Sequence, residues 1–191
     1  MEADFAVELG PEDDRLEVPW ASLDRRIRYY DLKRQPEQLR NIEEAVRVPE
    51  LGDFLTAINS PSGILETAKC DAWSTTEMTA EDEMFGAACK FGCYVDCFFS
   101  DPHARISFAG HEQLASRITQ LLKRAPEIPA AVEFLIRRCF YHSGQDTLTG
   151  FYITLYSFGY GKDEVHARQQ WVIGLKLVEH AMRQLSVIRP A

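Results

Sequence analysis

Apolar positions change their period along this chain, and the change divides it into three parts. In residues 1–63 the signal is mixed. Phe5, Val7 and Leu9, then Leu16, Val18 and Trp20, alternate weakly around the turn-rich GPEDD of 10–14, which predicts a short hairpin or a mobile arm. RIRYYDL at 26–32 reads as a strand. Pro36 opens a helical pattern with Leu39, Ile42 and Val46 inward, and Pro49 interrupts it. A second short helix follows to Ile58, striped by Leu51, Phe54, Leu55 and Ile58.

From Ile64 the pattern becomes extended. ILETAKCDAW (64–73) and CKFGCYVDCFF (89–99) read as an antiparallel hairpin, since β-branched, aromatic and cysteine residues replace helix formers there. HEQLASRITQLLKRA (111–125) is amphipathic, with basic residues in its last turn, and Pro126 and Pro129 stop it. AVEFLIRRCFYH (131–142) and TLTGFYITLYSFGYG (147–161) predict a second hairpin joined through SGQD. The helix from Asp163 to about Ile188 closes the chain.

The expected fold is therefore one α+β domain with a largely antiparallel sheet. An N-terminal arm and helices (1–63) precede two strand-strand-helix units, 64–125 and 131–188, whose helices share one sheet face. The units match in residues as well as in order, which predicts a tandem repeat. Lys69-Cys70 corresponds to Arg138-Cys139, and Gly92–Asp96 to Gly150–Thr154.

Strand alternation then sorts the side chains onto two faces. Ala68, Cys70, Ala72, Phe91, Cys93, Val95, Cys97, Cys139, Phe151, Ile153 and Leu155 form an apolar face that belongs under the helices. The other face mixes charge with aromatic rings: Lys69, Asp71, Trp73, Lys90, Tyr94, Asp96, Arg138, His142, Tyr152, Thr154 and Tyr156. It suits a ligand pocket or a protein interface, and equally a solvated or covered sheet face.

Composition narrows the class. With 191 residues and 46% hydrophobic positions, a continuous core forms without staples. Five cysteines and no recognisable leader segment predict a reducing, cytoplasmic setting. No apolar run reaches the roughly 18 residues a bilayer-spanning helix needs. The net charge of −8 is uneven, with 21 acids against 10 Lys/Arg in residues 1–100, and disfavours nonspecific binding to nucleic acid.

Several constellations fail on geometry. Cys89, Cys93 and Cys97 lie about 13 Å apart at each step of a strand and cannot close one tetrahedral zinc site. Asp101, His103, His111 and Glu112 match no metal spacing and read as helix caps and loop polarity. SFGYGKDE at 157–164 lacks the Lys-Ser/Thr ending of a phosphate loop and reads as a strand-to-helix turn capped by Asp163. Cys139 and His142, three apart on one strand, point to opposite faces. No cofactor is implied.

The polar face remains as the candidate site. Lys69, Lys90 and Arg138 would hold an anionic group, Trp73, Tyr94, Tyr152 and Tyr156 would pack on its body, and Asp71 or Asp96 would orient a polar group. The expected function is a non-enzymatic binding module for a small anionic ligand or a protein partner, a second copy of the chain included. The competing expectation is a small enzyme using Asp96 or Asp71 as general base beside Lys90 or Arg138.

Overall fold

Four long extended runs supply the sheet, and the computed structural model, which describes residues 1–11, 13–21, 28–79 and 86–187, pairs them with two short N-terminal strands. The strands are β1 (Glu2–Glu8), β2 (Arg15–Val18), β3 (Leu65–Thr75), β4 (Cys89–Phe99), β5 (Ala130–Ser143) and β6 (Asp146–Gly161). Their order is β1-β5-β6-β4-β3, with β2 continuing the β1 edge along β5. All pairings from β5 to β3 are antiparallel, while β1 and β2 run parallel to β5.

The N-terminus corrects the sequence reading. Residues 2–18 form neither a hairpin nor an arm: Glu2–Glu8 pairs with Ala131–Arg137, and Arg15–Val18 with Arg138–Tyr141. β1 and β2 therefore lie along one edge of β5 instead of pairing with each other. Residues 26 and 27 of the expected strand at 26–32 lie outside the described residues, and its remainder contributes a single bridge, Arg28 to Ala21.

Helices follow the apolar stripes except at Val46, expected inward but 63% exposed on its short helix. Residues 36–41 wind as a 3₁₀ turn, then come α1 (Glu43–Arg47) and α2 (Pro49–Ile58), with the break where Pro49 forbids continuation. The short α3 (Pro102–Arg105) is capped by Asp101, and α4 (Phe108–Leu122) by Ser107, whose hydroxyl accepts from Gly110 N–H at 3.1 Å. Asp163 accepts from His166 N–H at 2.9 Å and starts α5 (Glu164–Val187).

Two hydrophobic clusters lie on opposite sheet faces. The larger buries Ala72, Phe91, Cys93, Val95, Cys97, Phe134, Ile136, Ile153 and Leu155 against Leu51, Phe54 and Leu55 of α2, Ile118 of α4 and Trp171 and Val178 of α5. Each such large side chain stabilises the fold by roughly 1.5–3 kcal/mol relative to exposure. The smaller gathers Leu16, Val18, Phe98, Cys139, Tyr141 and Tyr152, with Trp20, Tyr29 and Ala68 at its margin. Close packing of α5 on β6 requires glycine at 159, because a Cβ there would collide with the Trp171 backbone.

The expected strand-strand-helix order is present in both halves, yet the register gives the residue match no support. Cys70 faces Val95, whereas Cys139 faces Gly150 instead of Ile153, the counterpart of Val95.

Candidate functional site

Register also corrects the face assignment. Cys139 pairs with Gly150, between Arg138 opposite Phe151 and Phe140 opposite Thr149, so Cys139 shares the face of Tyr152 and Arg138 shares that of Phe151. Arg138 and His142 therefore leave the polar face, and Cys139 joins it within the smaller apolar cluster. Arg137 takes the position expected for Arg138. Ala68 moves to that cluster for a different reason. A β-bulge between Thr67 and Cys70 inserts one residue, so Ala68 and Lys69 together oppose Asp96.

Arg137 centres a polar network on this face. Its Nε and Nη2 donate to Glu8 Oε2 at 2.7 Å each, and its Nη1 donates to Thr154 Oγ1 at 3.3 Å. The Thr154 hydroxyl donates in turn to Asp96 Oδ1 at 2.7 Å. Asp96 is 6% exposed, and burial raises its pKa to about 6 against the opposing pull of the Thr154 hydrogen bond and the charges of Lys69 and Arg137. Tyr152 is buried beside this network, and burial and the Asp96 charge push its phenol well above the usual range.

Beyond the network an aromatic row crosses three strands. Tyr94 lies 6.1 Å from Tyr156, Tyr156 stacks on Phe158 at 6.2 Å, and Trp73 meets Phe158 edge-on at 6.2 Å. Lys90 Nζ stands 5.2 Å over the Phe158 ring.

A cleft of about 380 Å³ opens where this face meets the β3 edge. Lys69, Asp71 and Tyr94 line it together with Trp20, Arg28 and Tyr30 of the N-terminal segment and Glu43 and Glu44 of α1. Lys69 stands there with Nζ 5.1 Å over the Trp20 ring, and Trp20 Nε1 donates to the carbonyl of the bulged Ala68 at 3.1 Å. Asp71 is held by Arg47 at 3.2 Å. Asp96, Tyr152, Tyr156, Trp73 and Lys90 do not line the cleft, so the expected site residues divide among cleft, buried network and aromatic row.

Alternation carried two residues further along β6 would reach Phe158. Trp20, Tyr30 and the α1 acids carry no signal in sequence, because their place follows from how the N-terminal segment crosses the sheet. Among the described residues, no group of three or more His, Cys, Asp or Glu is placed to hold a metal ion, and no helix is long and apolar enough to cross a membrane. Compared with known proteins, the chain matches no family model, no curated protein and no solved structure.

Proposed function

We propose that this protein is a non-enzymatic binding module whose β3-edge cleft takes a small ligand through an anionic group. The observation that carries the reading is that Lys69, beside the bulge, stands with its charge in a cleft walled by Trp20 and Tyr94. Bulges that re-aim one side chain are over-represented beside functional sites. Aromatic walls with a few charged groups are the usual make-up of a small-molecule pocket.

A melting-temperature screen of small metabolites bearing a carboxylate or phosphate, amino acids and nucleotides included, tests this. A compound that stabilises the wild-type protein but neither Lys69→Ala nor Tyr94→Ala supports the reading. If every stabilising compound acts equally on Lys69→Ala, the cleft is not the site. Both variants should melt close to wild type without ligand, since half-exposed residues of this kind contribute within about 0.5 kcal/mol.

The enzyme reading draws on one observation, the raised pKa of Asp96. Against it, Asp96 is shut away from the cleft, one oxygen is committed to Thr154, and Asp71 is paired with Arg47.

A further inference from the structure

We infer that the ligand of this cleft is a short zwitterionic peptide, of dipeptide size, that extends the sheet by pairing its main chain with Cys70 at the β3 edge. The inference rests on the reading of the cleft as a binding site and specifies what enters it.

Hydrogen bonds along β3 fix which backbone groups point away from β4. Ser100 N–H donates to Ile64 O at 2.8 Å, so position 64 faces β4 and position 65 faces outward. Outward groups are capped by side chains on both sides of the bulge. Leu65 O accepts from Lys33 Nζ at 3.1 Å, Thr67 N–H donates to Asn59 Oδ1 at 3.1 Å, and Ala68 O takes the Trp20 indole. Past the bulge, Ala72 N–H donates to Asp71 Oδ1 at 2.7 Å and Ala72 O accepts from Arg47 at 2.7 Å.

Ala72 therefore faces outward, and Cys70, two residues before it in the same antiparallel pairing, does so too. Among the described residues no loop or side-chain group bonds the Cys70 N–H or C=O, unlike its outward neighbours, and Cys70 lines the cleft. An edge closed by side chains at 65–68 and at 72 is thus open inside the cavity. One donor and one acceptor on a strand edge match the C=O and N–H of a single peptide residue, the pairing used when a peptide adds to a sheet.

Charge selects the termini. Among the described residues the cleft lining holds two bases, Arg28 and Lys69, and three acids, of which Asp71 is occupied by Arg47. Glu43 and Glu44 remain, and their carboxylates would repel a ligand that is only anionic. The Glu44 charge reaches the cavity floor: after burial, it is the largest influence raising the Cys70 thiol pKa. A free peptide carboxylate at Lys69 and an ammonium at Glu43 and Glu44 satisfy both groups. A cleft of about 380 Å³ lies at the small end of ligand pockets, which limits the peptide to a few residues.

Calorimetry with alanyl-phenylalanine, its N-acetyl form and its C-terminal amide tests the inference on the full chain. The free dipeptide should bind, and removing either terminal charge should weaken binding about tenfold or more. Lys69→Met should weaken the free dipeptide while leaving the amide unaffected, and Glu44→Gln should do the same with respect to the N-acetyl form. Exchange of the Cys70 amide proton should slow when the dipeptide is added. Equal binding of the N-acetyl form, still dependent on Lys69, would overturn the zwitterion and leave the anion-binding reading standing. Dipeptide binding that leaves Cys70 exchange unchanged would remove the sheet extension. Failure of all three probes to bind would overturn the inference, and the metabolite screen would then judge the underlying reading separately.

Discussion

Asp96 and Arg137 show how one residue's environment sets its chemistry. The Asp96 carboxyl titrates near 6 in the folded protein and near an ordinary value of about 3.9 when unfolded. Between those values the folded state keeps a proton that the unfolded chain has lost, so the stability it contributes at low pH is lost as pH rises through about 6. Asp96→Asn stays neutral throughout. It should therefore gain on wild type by on the order of 2–3 kcal/mol between pH 4 and pH 8, read from urea unfolding at each pH. His111, whose pKa burial lowers, acts in the opposite sense, since its contribution is lost as pH falls, but it is common to both proteins and cancels in the difference. A gap that does not change with pH would show that Asp96 is not buried as described.

Arg137→Ala leaves Glu8 without its partner and should cost roughly 2–4 kcal/mol, the lower end because Glu8 is partly exposed. Arg138→Ala should change stability by no more than about 0.5 kcal/mol. Equal losses would mean that the strand phase is wrong. Sequence alone hides this distinction. Phe134, Leu135 and Ile136 are consecutive apolar residues, all buried, Leu135 on the face opposite the other two, so the run has no visible alternation to count from.

At the scale of elements, the four long strands and the helices α2, α4 and α5 are legible, because each carries enough periodic apolar residues to fix its type. The β3 bulge is not. ILETAKCDAW reads as a regular strand, and nothing in residue type marks Ala68 and Lys69 as sharing one partner position. The cleft is hidden with it, since the extra residue brings Ala68 beside Lys69, where its carbonyl accepts from the Trp20 indole. Close helix-to-strand contact was also invisible, although it makes a sharp test. Gly159→Ala should destabilise by about 2 kcal/mol or more through overpacking against α5, measured by thermal or chemical unfolding. A neutral outcome would place α5 farther from β6.

At the scale of the molecule, the sheet is a partition between two apolar clusters, and the thiols report on both. Cys93 and Cys97 are buried on one side and Cys139 on the other, while Cys70 is half-exposed in the cleft. Burial pushes the Cys93 and Cys139 thiols up to about 12. Native labelling with a small thiol reagent should modify the more exposed Cys70 first and the four buried thiols, Cys89, Cys93, Cys97 and Cys139, only on the timescale of unfolding. The N-terminal strands belong to this architecture, because Leu16 and Val18 close the smaller cluster over Tyr141 and Tyr152. Removing residues 1–18 should therefore abolish cooperative unfolding, whereas loss of a mobile arm would leave the transition intact. The parallel seam between β1 and β5 joins residues separated by about two thirds of the chain, with Glu2 beside Ala131. During synthesis the first strand emerges long before β5 exists, so it must wait for more than half of the chain to follow before that pairing can form. Closing so large a loop costs entropy before any contact rewards it, which makes sealing this edge a late and slow event in folding. Until then the flank of β5 is a bare strand edge, the surface through which newly made copies are most apt to aggregate.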